Sequence, residues 1–177
     1  MTEEARLEQT PRGKRAASEG WYVLHASEAP WITSERFGAG CVFEGEPRFA
    51  QMGVHLRVLE PGKPACLYHS ETTQEAFFVI AGQCTLVVEE QERELRAGHF
   101  FHCPPGTRHV LVGAGDAPCV ILMMGARSPD QMLDYPVSEV AAKYGASAKE
   151  RTGSPNEAYG ERDIRPAEAM WPLYGEE

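Results

Sequence analysis

The chain has 177 residues, 42% hydrophobic and 24% charged, with 26 acidic against 17 basic residues and a formal net charge of −9. That length suggests one domain, with enough chain to bury a core. The acidic balance argues against nucleic acid or an anionic membrane surface as the main partner, because both would repel it.

No apolar run approaches the roughly 18–20 residues that cross a bilayer. The N-terminal stretch MTEEARLEQTPRGKRAASEG lacks the apolar core of a secretory signal. The five cysteines, Cys41, Cys66, Cys84, Cys103 and Cys119, are odd in number and contain no C-x-x-C pair. They suit a reducing cytoplasm better than a disulfide framework or a zinc ribbon.

Residues 1–19 are polar, charged and aperiodic, and are expected to form a disordered arm. Trp21–Leu24 reads as a short strand. Ala29–Ile32 and Phe37–Phe43 read as two more extended pieces, stopped by the turn signal Glu44-Gly45-Glu46-Pro47. Val54–Leu59 alternates as a half-buried strand does, and Pro61-Gly62-Lys63-Pro64 breaks it. Further strands are expected at Leu67–Glu71, Glu75–Ala81, Thr85–Glu89, Glu92–Leu95, Phe100–Cys103, Arg108–Val112 and Val120–Met124. Many short strands with turn signals every 8–12 residues or so predict an all-β sandwich or barrel, here over residues 20–134. After Gly125 the pattern changes. Ser138–Tyr144 reads as a short helix, with Ser138 as N-cap and Gly145 as the stop. Residues 135–177 are thus a helix and an extended, mobile tail, which would either wrap a partner subunit through Trp171 and Tyr174 or stay free.

The chemistry concentrates between Gly62 and His109. His69 and Glu71 are two apart, so on a strand they share a face. Glu75 follows the Thr72-Thr73-Gln74 turn and can face the strand it left. His109 arrives from a separate strand, set by Pro104-Pro105-Gly106. Two carboxylates and two imidazoles facing one apolar interior are costly without a cation, because like charges repel and burial disfavours ionised carboxylates. Two histidines and a carboxylate with open positions compose a non-haem Fe(II) site, and Mn, Ni and Zn also accept such ligands.

Gly62–Gly82 and Gly98–Gly113 resemble the two motifs of the cupin superfamily. The first is written G-x5-H-x-H-x(3,4)-E-x6-G. His69, Glu75 and Gly82 fit it, Gly62 lies one residue too far from His69, and Glu71 stands where the second histidine belongs. The second is G-x5-P-x-G-x2-H-x3-N. Gly98, Pro104, Gly106 and His109 fit it, and Gly113 replaces the final Asn. The 15 residues between Gly82 and Gly98 match the short spacing of bacterial single-domain cupins. The resemblance covers about residues 50–126. It implies a double-stranded β-helix jelly roll, one divalent metal ion in its mouth and, often, a homodimer. His69, Glu75 and His109 are the implied ligands. Glu71 is a fourth ligand, an acceptor orienting a histidine, a general base, or a solvated acid at the mouth.

Other polar residues are expected outside the site. His99 and His102 read as surface or supporting groups, and His25 and His55 as lone strand histidines. Arg57 and Tyr68 are assigned to the sheet surface, the alternative being that they reach inward to bind an anion. Cys103 reads as a buried, inert thiol, Phe77 and Phe78 as core, and Glu89–Glu94 as a solvated hairpin. The function expected is a small-molecule metalloenzyme of oxygenase or isomerase/lyase type. The alternative is a non-catalytic binding or sensing protein whose metal is structural. Fold alone does not decide among them.

Overall fold

A computed structural model describes residues 1–171. In chain order the strands are β1 (Leu7–Thr10), β2 (Gly13–Ala16), β3 (Trp31–Ser34), β4 (Gly38–Val42), β5 (Met52–Leu59), β6 (Ser70–Glu71), β7 (Glu75–Ala81), β8 (Gln83–Val88), β9 (Gln91–Arg96), β10 (Phe100–Cys103), β11 (His109–Ala114), β12 (Cys119–Ala126) and β13 (Leu133–Asp134). Two short helices follow, α1 (Glu139–Ala142) and α2 (Pro155–Tyr159), and then β14 (Arg165–Ala167).

The barrel is built from two antiparallel sheets. One has seven strands in the order β10-β7-β12-β5-β4-β3-β14, the other three in the order β11-β8-β9. Residues 62–69 run beside β11 and extend the smaller sheet through bridges at Pro64–Val112 and His69–His109. This is the expected all-β jelly roll with a short C-terminal helix. Leu59, Phe77, Val79, Leu86, Leu111 and Ile121 fill the space between the sheets. A second cluster, Trp31, Cys41, Leu56, Val58 and Val120, packs the outer face of the large sheet under the N-terminal segments.

Turn chemistry places the strands. Glu89 and Glu90 both take positive φ, 46° and 60°, and join β8 to β9. A tight two-residue hairpin needs that backbone, so this charge run is the expected solvated hairpin. Gly82 makes the β7–β8 turn at φ 73°, and a Cβ there would lie 2.5 Å from the Pro118 carbonyl oxygen. Ser138 caps α1, its Oγ accepting from the Ala141 N–H at 3.0 Å, as its sequence position suggests.

Several expectations give way. Residues 1–19 are not a disordered arm: β1 and β2 pair as a hairpin, and Glu4 bridges Trp21. Trp21–Leu24 contributes only that bridge, because its partner supplies a single residue. Residues 146–171 are not loose. Leu67, Tyr135 and Ala148 cluster with Tyr159 of α2, and β14 adds an edge strand to β3. A five-residue helix and a three-residue strand are too short to show a period. Trp171 packs against the outer cluster, and Tyr174 lies outside the described residues. Phe77 is buried as expected, but Phe78 is 39% exposed, because strand alternation turns it outward. Among the described residues no helix is long and apolar enough to cross a membrane.

Gly82 and Gly98 separate two costs. Gly98, at φ 89°, has open space where a Cβ would stand. Gly98→Ala is therefore expected to lose only the left-handed backbone preference, about 1 kcal/mol. Gly82→Ala adds the Pro118 clash and should lose about 3 kcal/mol. Urea midpoints measure both, and equal losses would show that Pro118 moves aside freely.

Candidate metal centre

His69 and His109 face each other across the smaller sheet. The His109 N–H donates to the His69 carbonyl at 2.8 Å, and the His69 N–H donates back at 3.2 Å. A reciprocal pair sets two residues directly opposite with side chains on one face, and the two ring centroids lie 5.2 Å apart. Each ring is aimed by a carbonyl two residues upstream: Nδ1 of His69 is 2.8 Å from Leu67 O, and Nδ1 of His109 is 3.1 Å from Thr107 O. A carbonyl only accepts, so Nδ1 of each ring carries a proton and Nε2 faces the interior. Burial lowers His69, but Cys66 and Glu71 outweigh it and raise the ring well above its ordinary value, so its Nε2 holds a proton toward Glu71 that a cation would displace.

Glu75 opens β7 in the opposite sheet, between Cys103 of β10 and Gly125 of β12. Its Oε2 lies 3.5 Å from His109 Nε2. The ligand atoms of His69, Glu75 and His109 all lie within 4.8 Å of one another. Burial, then the neighbouring His69, pushes His109 down to about 4. Burial, then Glu71, pushes Glu75 up to about 7. His109 is thus neutral with its lone pair toward Glu75, whose ionised form is disfavoured, and a cation in place of the carboxyl proton would pair with both. The donor set fits a divalent cation, which satisfies both at once.

Glu71 is positioned differently. Its Oε1 is 3.5 Å from His69 Nε2, and its Oε2 accepts from the Thr73 hydroxyl at 3.3 Å and from the Gln131 side-chain amide. Burial favours the neutral acid, but the His69 hydrogen bond and charge outweigh it and hold the carboxyl below its usual range. Its backbone is tied as well: the Gly106 N–H, from the turn that delivers His109, donates to Glu71 O at 2.7 Å. Glu71 therefore stands beside the three clustered donors, carrying its own hydrogen-bond partners.

Two cavities meet at this cluster. The inner one, about 250 Å³, is floored by Phe77 and Leu111 and walled by Glu75, His109, Arg127 and Gln131. The outer one, about 500 Å³, runs past Tyr135 to Phe37, Tyr159 and Arg162. His55, Arg57, Cys66, His69 and Glu71 line both. Arg57 is thus not a sheet-surface residue and His55 is not remote. The inward face of β5 carries Gly53, His55, Arg57 and Leu59, while Leu56 and Val58 pack outward. Gln131, Tyr135 and Tyr159 also reach the cavities, from segments with no recognisable motif. Tyr68 is fully buried away from them, its hydroxyl accepting from the Glu90 N–H. Cys103 is buried with Sγ 3.4 Å from His109 Nδ1, and burial pushes its thiol up to about 12, so it packs as a neutral group. His25, His99 and His102 are exposed, as expected.

Comparison with known proteins agrees with this geometry. Residues 55–125 match the family model of the cupin domain. Among solved structures, the chain is similar to a sugar phosphate isomerase of a cupin superfamily from Silicibacter pomeroyi, with 24% identity, a TM-score of 0.58, and 65% of this chain and 82% of that one covered. It is similar to the polyketide cyclase of Streptomyces resistomycificus at 16% identity and TM-score 0.53, covering 63% and 83%. It is also similar to a predicted oxalate decarboxylase of Thermotoga maritima at 17% identity and TM-score 0.51, covering 60% and 100%. At these identities the likeness is one of fold. No curated protein sequence matches the chain. The jelly roll, the two glycine-framed segments and the His69–Glu75–His109 cluster agree with that match: residues 55–125 are similar to the cupin domain.

Proposed function

We propose that the protein is a metal-dependent enzyme that moves a proton on a small molecule, an isomerase or lyase rather than an oxygenase. One divalent ion, Fe, Mn, Ni or Zn, would be held by His69, Glu75 and His109, and when bound it would supply a Lewis acid that polarises a substrate oxygen. The observation that carries the reading is the placement of Glu71. Its carboxylate lines both cavities, with one oxygen anchored by Thr73 and Gln131 and the other directed to the cluster. A carboxylate fixed beside an electrophilic centre is arranged for general acid–base work. Phe77 and Leu111 keep the inner end apolar, which strengthens charge interactions there. The outer cavity, at about 500 Å³, lies in the size range of small-molecule sites.

This reading places the enzyme in the cytoplasm, where its five free thiols stay reduced, and assembles it as a homodimer. Phe78 and Phe100 are cross-strand partners on the outer face of the large sheet, 39% and 59% exposed. An apolar pair of that kind suits an interface between two copies.

Three measurements test these claims. Protein loaded with Mn, Fe, Ni or Zn is expected to hold about one ion per chain by elemental analysis and to gain about 3 kcal/mol of stability at a hundredfold excess over Kd. His109→Ala and Glu75→Ala should lose the ion, and Glu71→Gln should keep it. In D2O, the loaded protein should wash deuterium into the carbon beside a carbonyl for some member of a panel of hydroxyaldehydes and keto acids. Glu71→Gln should slow that exchange about 10²–10⁴-fold. Oxygen uptake by the Fe(II) form on the same panel would replace this reading with an oxygenase. By light scattering, Phe100→Glu should convert a dimer to a monomer, and a monomeric wild type would remove the dimer.

A further inference from the structure

Two arginines face the inner cavity, and they are held in opposite ways. Arg127 is committed to the fold. Its guanidinium reaches the Glu44 carboxylate at 2.8 Å and the Phe49 carbonyl at 2.6 Å. Arg57 has no such partner. Among the described residues no carboxylate lies within ion-pair distance of its guanidinium, and no protein acceptor takes a hydrogen bond from it; the Cys66 thiol and the Tyr159 hydroxyl are its polar neighbours. Burial opposes its charge, yet a guanidinium keeps its proton in proteins. A permanent cation with unused donors therefore stands inside the barrel.

The fold makes room for it. Gly40 of β4 is the cross-strand neighbour of Arg57. A Cβ at Gly40 would stand 3.0 Å from Arg57 Nη1 and 3.3 Å from Cδ. The missing side chain lets the arginine stem lie along β4 while its head faces the cavities. Arg57 lines both of them, together with His69 and Glu71. Arg57 thus stands where the two cavities meet, beside His69 and Glu71. Asp163, an acid at the outer rim, is already taken by the Ser34 hydroxyl at 2.6 Å and the Glu35 N–H at 2.6 Å.

We propose that Arg57 is the anion-binding residue of the site, and that the substrate carries a carboxylate or phosphate which it receives while another oxygen faces His69, Glu75 and His109. The planar fork of a guanidinium takes either group through two parallel hydrogen bonds. Removing water from an unpaired, partly buried cation is costly, and the incoming anion offsets that cost. This assignment rests on the reading of the cavities as the substrate site, but the charge of Arg57 acts with or without the ion.

Calorimetric titration of the full chain, with and without bound metal, tests it. The probes are inorganic phosphate, glycolate and neutral glycerol. Wild type is expected to bind phosphate or glycolate saturably and glycerol not at all; phosphate alone or glycolate alone identifies which anion the site is shaped for. Arg57→Gln should weaken the anion about 10- to 100-fold while metal content stays at the wild-type level. Arg57→Lys should restore part of that loss, since it keeps the charge without the fork. Gly40→Ala displaces the guanidinium without removing it, and should weaken the same anion severalfold in a chain that retains Arg57. Anion affinity unchanged within twofold in Arg57→Gln, or no anion binding to wild type, overturns the proposal. A chain that binds no metal but still loses anion binding in Arg57→Gln would overturn the metal reading and leave the arginine assignment standing.

Discussion

The reciprocal backbone pair between His69 and His109 is the constraint on which the site depends. It does three things with two hydrogen bonds. It fastens the far end of residues 62–71, whose near end is held by the Gly62, Lys63 and Ala65 bonds, to β11. It sets two imidazoles side by side on one face. It also holds the loop carbonyls of Leu67 and Thr107 where each can orient the ring two residues on. The Gly106 N–H to Glu71 carbonyl bond then ties the turn before His109 to the residue two after His69. Loosening the pair would separate the two nitrogens that must converge, and would free Glu71 from the turn that faces it.

The barrel interior is graded along its length by register. Reading inward positions only, β5 runs Gly53, His55, Arg57, Leu59; β7 runs Glu75, Phe77, Val79; β11 runs His109, Leu111. On each strand the polar residue comes first and the large apolar one two or four positions on. The register sets Glu75 level with Gly53 and Phe77 level with His55, so Arg57 lies deeper than Glu75, level with Ile121 and Val79. A one-residue slip would turn each set to the other face. Phe77 consequently stands directly against His109, their ring centroids 5.0 Å apart. That packing keeps water from one side of the imidazole and accounts for its depressed pKa. The same burial raises Glu75, so the core that stabilises the barrel also tunes its mouth.

Much of this was legible from local signals. The strands Glu75–Ala81 and Phe100–Cys103 are bounded by glycine and proline, and the structure keeps those bounds. The glycine-framed spacings picked out His69, Glu75 and His109 because a turn followed by a ligand is a short-range pattern. Arg57 and His55 were not legible in the same way. Alternation on β5 separates His55 and Arg57 from Leu56 and Val58, but both faces of that strand are covered, and the usual assumption of polar outward reverses the truth. Only the arrival of β3, β4 and the N-terminal segments over Leu56 and Val58 turns the polar face inward. Gln131 and Tyr159 carry no local signal at all. They reach the site because Thr72 bonds Met132, and because the Tyr159 hydroxyl accepts the Leu67 N–H at 3.2 Å.

The site thus divides by origin. Its four acid and imidazole groups lie within residues 55–125, the part of the chain that matches the cupin domain. The wall of the outer cavity is drawn instead from residues 32–38 and from Tyr135 through Ile164. Those flanks are locked onto the barrel by particular contacts: Phe37 against Tyr159 at 5.4 Å, Tyr135 against both His69 and Tyr159, and Ser34 to Asp163. One arrangement of groups in a barrel serves many different functions. What a particular chain admits to that arrangement must be decided by the groups a molecule meets on the way in. Here those groups are two tyrosines, the rim arginines Arg36 and Arg162 and, at the junction of the two cavities, Arg57.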